Sequence, residues 1–449
     1  MQPHPHTPAA LRKELSDWHL WTGRGVVIAF AALAGLSVVV FTWLADHALA
    51  QFFRFQQSYW WGPLFWTPLS TAAIVWLTLR FAPGAAGSGI PQVMAALDPQ
   101  ASGPVRQLYV SIKLTIAKIL LTTWGLLAGL SLGREGPSVQ VAAGVMHNAR
   151  RWIPKRAHIS EHSLLIAGGA AGIAAAFNTP LGGVMFAIEE LSKKADQRSN
   201  SLILVAIVLG GLMGVSAYGN ASYFGVIRIE NFGFALIFPA ILVALTSGVA
   251  GGLFSRLLIV SLSGNSSDWF SRCRKSFPVR FAAGCGLVVA ILGVVSHGDT
   301  FGSGYEHNRA MLENNSDTSS LYVLLKFVAT WVTTWAGVPA GIFAPSLAIG
   351  GALGNDLAQL TSYANAPTLI ALGMAGFLAA VTQAPLTAFI IVMEMVDGHA
   401  LVLSLMATAM VASGVSKLIS APLYSSLAEL QLHRLKNWAG PVTPADKRQ

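Results

Sequence analysis

The chain has 449 residues, of which 53% are hydrophobic and only 11% are charged. Soluble domains carry about 25% charged residues, so this composition argues against a soluble protein and predicts an integral membrane protein. The net charge of +9 comes with basic residues in short loops, which favours cytoplasmic loops of a membrane protein over a nucleic-acid-binding surface.

Apolar stretches long enough to cross a bilayer, about 20 residues each, occur along the whole chain. Two of them, near 321–336 and 367–395, predict broken helices, because Gly337 and Pro339 follow the first directly and Gly and Pro interrupt the second. Ahead of the first span, Pro8–Trp21 predicts an amphipathic helix on the membrane surface. The uninterrupted spans are predicted near residues 25–44, 62–81, 110–132, 201–217, 232–262, 279–296 and 400–418.

Short clusters of Lys and Arg predict the orientation of the chain in the membrane, because such loops mark the cytoplasmic side. The clusters lie within residues 150–156, 193–198, 272–280 and 434–448. We therefore predict that both termini are cytoplasmic.

The chain also repeats itself. A Gly-Ser-Gly motif, a Gly-x-x-x-Pro-Ser motif and an Ala- and Gly-rich segment follow one another in the same order in both halves. Lys118 and Lys326 each lie 15 residues before the second motif. Duplication with Gly and Pro breaks at matching points is typical of secondary transporters, but hydropathy leaves open whether the halves run parallel or inverted. The three motifs begin at Gly87, Gly133 and Leu165, and again at Gly302, Gly341 and Leu369.

Three glycine-rich breaks each precede a proline that can open a helix: Gly87–Pro91, Gly133–Pro137 and Gly341–Pro345. A helix that begins inside the membrane leaves its first N–H groups unpaired, and these groups and the helix dipole favour an anion. Together the breaks predict one binding site for a small anion.

Comparison of the halves separates structural from functional carboxylates. Glu189 has a counterpart in Glu394 after a one-residue shift, which favours a helix-end or packing role for both. Glu135 and Glu190 have no acidic counterpart. An ionisable group within a membrane segment is costly and therefore indicates function.

Each of these two glutamates also has a structural interpretation. Glu135 could pair with Arg134 or with the helix dipole in a first helical turn, and Glu190 could pair with Lys193 or Lys194 at the membrane interface. A carboxylate at the start of a helix that binds an anion can instead compete with that anion and can carry a proton.

The three breaks (GSGIP, GREGP and GIFAP) resemble, in order and spacing, the signature motifs of the CLC chloride channels and transporters, and Pro422–Leu427 resembles the late tyrosine motif of that family. The resemblance covers roughly residues 25–428. It implies an all-α integral membrane protein with two inverted repeats of tilted and broken helices, forming a homodimer with one pore per subunit. The implied domains are a cytoplasmic N-terminal segment (1–24), a first repeat (25–218), a second repeat (219–428) and a short cytoplasmic tail (429–449) without a regulatory nucleotide-binding domain.

The same resemblance implies the anion ligands. The hydroxyls of Ser88 and Tyr424 would coordinate a central chloride, and the backbone N–H groups of Ile342 and Phe343 would complete the site. Ser303, in the second Gly-Ser-Gly motif, lacks the following Ile-Pro and is interpreted as a remnant of the repeat.

Roles for charged residues follow from the resemblance as well. Glu135 would be the outer gate, which moves into the place of the anion and carries a proton, and Glu190 would be the inner proton-transfer residue. Lys118 and Arg134 would add positive potential near the pathway.

Two carboxylates in these positions favour exchange of chloride for protons over a passive channel gated by voltage or pH. Ser88 resembles the chloride-preferring version of its motif, so chloride is expected over nitrate or fluoride. We expect chloride and protons as the transported ions, membrane lipid and a second copy of the chain as partners, no cofactor and no nucleic acid. The predicted location is the inner (plasma) membrane of a prokaryote.

An intramembrane enzyme is a distant alternative. The sequence has no His-Glu-x-x-His helix, no Gly-x-Ser-x-Gly turn and no metal-ligand spacing of Cys or His. The two cysteines, Cys273 and Cys285, indicate neither a disulfide framework nor a metal site.

Overall fold

The computed structural model describes residues 18–99, 101, 103–157, 159–192, 200–219, 223–224, 234–264, 268–313 and 319–439. Most of the predicted surface helix Pro8–Trp21 lies outside the described residues, as do Lys193 and Lys194. Trp18–Trp21 belong to the first long helix.

The first half of the described chain is built from nine α-helices. They are α1 (Trp18–Ser58), α2 (Pro63–Phe81), α3 (Ile90–Leu97), α4 (Gly103–Val110), α5 (Ile112–Leu127), α6 (Glu135–Asn148), α7 (Glu161–Phe177), α8 (Pro180–Phe186) and α9 (Asn200–Tyr218).

The second half contributes ten more. They are α10 (Ile237–Ser263), α11 (Trp269–Ser276), α12 (Pro278–Val295), α13 (Tyr305–Leu312), α14 (Tyr322–Ala336), α15 (Phe343–Thr361), α16 (Ala366–Thr382), α17 (Pro385–Met395), α18 (Val402–Lys417) and α19 (Leu423–Ala439).

The predicted spans correspond to helices of the structure. Six helical segments of the described residues are long and apolar enough to cross a membrane. The first helix is longer than the predicted 25–44, because hydropathy detects only the apolar middle of α1. The span predicted near 201–217 is α9, and the interrupted stretch near 367–395 is α16 followed by α17. The break predicted near 321–336 is wrong, because α14 is continuous and the Gly and Pro come only after it. The six segments are Trp18–Ser58, Pro63–Phe81, Gly103–Leu127, Phe234–Ser263, Pro278–Val295 and His399–Lys417.

The two halves pack in the same way. α6 packs on α7 as α15 packs on α16, α7 packs on α9 as α16 packs on α18, and α1 packs on α9 as α10 packs on α18. At the junction, Gly133 and Gly341 form an antiparallel bridge with N–H···O distances of 2.8 and 3.0 Å. Because the paired glycines occupy matching repeat positions, the halves run in opposite directions, as inverted repeats require.

Two buried helices, α7 and α16, form the centre of the fold. Every residue is buried from Ser163 to Phe177 in α7 and from Thr368 to Thr382 in α16. A helix that is apolar all round is expected to be enclosed in this way. Small residues allow its neighbours to approach closely, since a Cβ on Gly172 would lie 2.7 Å from the Ser138 carbonyl oxygen of α6. This packing fixes where α6 begins.

Matching carboxylates join the halves at α8 and α17. The Glu189 carboxylate accepts hydrogen bonds from the N–H groups of Leu386 (3.2 Å) and Thr387 (2.7 Å), at the start of α17. The Glu394 carboxylate accepts from Leu181 (3.1 Å) and Gly182 (2.7 Å), at the start of α8. The helix-end role predicted for these two glutamates is confirmed.

Candidate anion site

The three glycine-rich breaks meet at one point in the structure. Besides the Gly133–Gly341 bridge, the Gly87 N–H donates to the Val338 carbonyl and the Ala340 N–H donates to the Gly87 carbonyl, both at 3.1 Å. α3, α6 and α15 therefore begin close to one another, with three sets of N-terminal N–H groups available to an anion.

Ser88 and Tyr424 lie at the buried side of this junction. The Ser88 hydroxyl contacts Gly136 so closely that a Cβ there would overlap it. Tyr424, near the start of α19, stacks on Phe343 with ring centroids 6.0 Å apart and planes 7° from parallel. The two hydroxyls approach one another. Among the described residues, neither makes a hydrogen bond of normal geometry, although both are buried.

Ile342 and Phe343 lie at the first positions of α15. Ile342 is the N-cap residue and Phe343 the first helical residue, and both are buried. Backbone N–H groups at these positions have no acceptor within their own helix. The structure thus places the two predicted backbone donors beside Tyr424.

Glu135 occupies the same junction from the other side. Its carboxyl group contacts Gly133 and interacts with the backbone N–H groups of Glu135 itself and of Ala344, which begin α6 and α15. Glu135 also lines an open cavity of about 1630 Å³. Neither Ser88 nor Tyr424 is among the described residues that line this cavity, whereas Glu135 lines it and also lies within electrostatic range of Tyr424.

Arg134 lies within electrostatic range of Glu135, but its hydrogen bonds are to other groups. Its guanidinium donates to the Asp46 carboxylate, to the Thr42 carbonyl of α1 (3.3 Å) and to the Tyr223 hydroxyl (3.3 Å). Among the described residues, no hydrogen bond joins Arg134 to Glu135. The structural alternative of an Arg134–Glu135 pair is therefore not supported by a hydrogen bond. Arg134 anchors the start of α6 to α1.

Lys118 is fully buried in α5, but its ammonium group is bound to backbone. It donates to the carbonyls of Ala85 (2.8 Å) and Gly87 (2.6 Å), in the loop that leads to Ser88. The matching Lys326 donates to the carbonyls of Thr300 (3.0 Å) and Gly302 (2.8 Å).

Glu190 lies on a π-helical turn, Ala187–Leu191, that extends α8. The Ser192 N–H closes this turn on the Ala187 carbonyl at 2.8 Å. Such turns insert an extra residue into a helix and often occur at functional sites. Glu190 is buried and lies within electrostatic range of Tyr424.

Sequence reasoning missed two buried glutamines around Ser88, Gln92 and Gln140. Their only signal in the sequence is that each is an amide flanked by apolar residues within a helix. Sequence reasoning also missed Asp46, the carboxylate that holds Arg134.

Comparison with known proteins identifies the family. A family model described as voltage gated chloride channel matches residues 69–417. The chain belongs to this family, the CLC proteins. It is 30% identical over 424 residues to the H(+)/Cl(-) exchange transporter ClcA of Klebsiella pneumoniae, covering 89% of this chain and 87% of that relative. It is also 30% identical over 370 residues to ClcA of Yersinia pestis, covering 78% and 74%.

Solved structures share the fold of this CLC protein. A slow cyanobacterial Cl⁻/H⁺ antiporter superposes with a TM-score of 0.80 at 24% identity, covering 93% of this chain and 99% of that one. A CLC-type fluoride/proton antiporter superposes with a TM-score of 0.72 at 20% identity, covering 94% and 99%. The all-α fold with two inverted repeats is thus confirmed.

Proposed function

We propose that this protein exchanges chloride for protons across a prokaryotic plasma membrane. The relatives in sequence are named as H⁺/Cl⁻ exchange transporters, which supports both ions. The observation that carries the proposal is the position of the Glu135 carboxyl group. It lies among helix N-termini, where an anion would bind, lines an open cavity and is within electrostatic range of the buried Tyr424 hydroxyl.

In this mechanism, Glu135 is the outer gate. As a carboxylate it occupies the N–H groups of α6 and α15, which are the donors that an anion needs. Protonation removes the negative charge and weakens its hold on those donors. The neutral side chain then swings toward the cavity and chloride takes its place. The carboxylate and the anion thus compete for the same position, and proton binding favours entry of the anion.

Chloride is held by backbone and hydroxyl donors without a full positive charge. Ser88 and Tyr424 each offer one O–H, and Ile342 and Phe343 each offer an N–H at the start of α15. A spherical anion accepts from such donors without a fixed geometry, and release stays possible because the binding is shared among weak contacts. We propose chloride as the preferred anion. Fluoride is the alternative anion to test, because a fluoride/proton antiporter shares the fold.

Glu190 is proposed as the inner proton-transfer residue. It lies in a buried position near Tyr424, on a π turn that its second-half counterpart Met395 does not share. A buried carboxyl group without a counterpart in the other repeat fits a proton route that serves only one side of the site.

The experiment uses the purified protein in liposomes with an outward or inward chloride gradient and records the pH inside. We expect uphill proton movement in the wild type and its loss by about a hundredfold in Glu190→Gln, with chloride flux retained. Glu189→Gln is the matched control, because it makes the same change one residue earlier in a carboxylate bound to α17.

The outcomes separate the candidates. Chloride flux without proton movement in the wild type would make the protein a passive channel. Proton movement that survives in Glu190→Gln would remove Glu190 from the proton route while leaving exchange in place.

The proposed assembly is a homodimer with one pathway per subunit and with both termini in the cytoplasm. The basic clusters support the orientation. Single-molecule photobleaching in liposomes would count the subunits, and a reporter fused after the chain would identify the side on which the C-terminus lies.

A further inference from the structure

In the loop that leads to Ser88, the backbone carbonyls of four successive residues, 84–87, each accept a hydrogen bond from a side chain. Gln140 donates to the Gly84 carbonyl (3.0 Å), and Lys118 donates to those of Ala85 (2.8 Å) and Gly87 (2.6 Å). Gln92 donates to the Ala86 carbonyl between them.

All three donor side chains are buried and come from three different helices. Lys118 belongs to α5, Gln140 to α6 and Gln92 to α3. Gln140 also donates to the Tyr109 carbonyl of α4 (2.8 Å), and Gln92 accepts from the Gly89 N–H (2.9 Å). These side chains therefore connect the loop to α3, α4, α5 and α6.

Carbonyl direction matters beside an anion. A carbonyl oxygen carries partial negative charge, so one that turned toward the site would repel chloride, whereas N–H and O–H donors attract it. Gly87 and Gly89 have φ of +79° and +106°, a conformation that favours glycine. Backbone hydrogen bonds with Val338 and Ala340 restrain Gly87, and the side-chain donors add restraint at the carbonyls of the loop.

The second half provides an internal comparison. Lys326 binds the carbonyls of Thr300 and Gly302 just as Lys118 binds those of Ala85 and Gly87. The glutamines have no counterparts: His307 stands three residues after Gly304, and Ala348 stands seven residues after Gly341. There Ser303 accepts the N–H of Tyr305, the first residue of α13, at 3.3 Å.

We propose that Lys118, Gln92 and Gln140 form a carbonyl clamp that positions Ser88 and thereby sets anion affinity and selectivity. The inference rests on the proposed function, in which Ser88 is an anion ligand. In this role the buried Lys118 acts through the two carbonyls that it orients, and it is a positioning residue. The clamp is completed by neutral amides, which contribute donors without net charge.

The experiment titrates chloride and nitrate into purified wild-type and variant protein by isothermal titration calorimetry. The variants are Gln140→Leu, Lys118→Met and, as the matched control, Lys326→Met. We expect Gln140→Leu and Lys118→Met each to lower chloride affinity by about tenfold and to bring the chloride-to-nitrate affinity ratio closer to one. Lys326→Met removes the same kind of hydrogen bonds from the other loop and should keep both values within about twofold of the wild type.

Each result has a separate meaning. A wild type that binds no chloride would contradict the proposed function itself. Wild-type binding with unchanged affinity and selectivity in Gln140→Leu would overturn the clamp, and so would an effect of Lys326→Met as large as that of Lys118→Met. An effect of Lys118→Met alone would also overturn it, because it would show that charge and not carbonyl orientation matters. If Lys118→Met does not fold, Gln140→Leu decides the question.

Discussion

The starts of α6 and α15 are one backbone arrangement used twice with different side chains. Both follow a glycine of the central bridge, and both carry a proline in the first turn. The first-half helix begins with Glu135, which faces the open cavity, whereas the second-half helix begins with Phe343, which stacks on Tyr424. The backbone of either helix can attract an anion, but only the first has a group that can take up a proton.

The two helix starts also differ at the next residue. Gly136 follows Glu135, and Ala344 follows Phe343. The Ser88 hydroxyl leaves no space for a Cβ on Gly136. The two helix starts thus differ: one carries a carboxyl group and lies against the Ser88 hydroxyl, and the other carries an aromatic ring that stacks on Tyr424.

The largest effect is expected from removing the carboxyl group that distinguishes Glu135 from Phe343. Glu135→Gln keeps the size of the side chain but cannot release a proton, so proton movement driven by a chloride gradient should fall by about a hundredfold or more while chloride still passes. The liposome pH assay measures it. Glu306→Gln, a change at an exposed residue lining the same cavity, is the control and should leave proton movement intact. Retained proton movement in Glu135→Gln would contradict the gate.

A smaller effect is expected from removing the difference between Gly136 and Ala344. Gly136→Ala places a methyl group against the Ser88 hydroxyl, which should displace that ligand and weaken chloride binding by about tenfold, as titration calorimetry would show. Gly284→Ala, in α12, has open space around its Cβ and should leave binding unchanged. If Gly136→Ala bound chloride as the wild type does, Ser88 would not be a ligand.

The smallest effect is expected at Glu189 and Glu394, which make matching contacts in the two halves. Glu189→Gln and Glu394→Gln each remove a charge that accepts two N–H groups at a helix start, so each should destabilise the protein by about 1–2 kcal/mol, and by similar amounts. The shift of the thermal unfolding midpoint in detergent measures this loss. Strongly unequal shifts would show that the two junctions are not equivalent in energy.

The sequence was sufficient to predict the helix starts at the three breaks and the duplication. It also distinguished Glu189 from Glu190 by comparing the halves, and the bonds of Glu189 to α17 agree with that distinction. It did not predict Gln92 and Gln140, because an amide in an apolar helix looks the same whether it binds a distant carbonyl or a neighbouring turn.

What the sequence determined by itself was local: which segments are apolar enough for a membrane, where Gly and Pro interrupt them, and which carboxylates lack a counterpart. These follow from composition and short spacing. Only the tertiary structure decided that the halves are inverted, that the three breaks meet, and that Lys118 binds carbonyls 31 and 33 residues earlier in the chain. The physical reason is that hydrogen bonds and helix dipoles act over a few ångströms, so their partners are set by packing between distant segments.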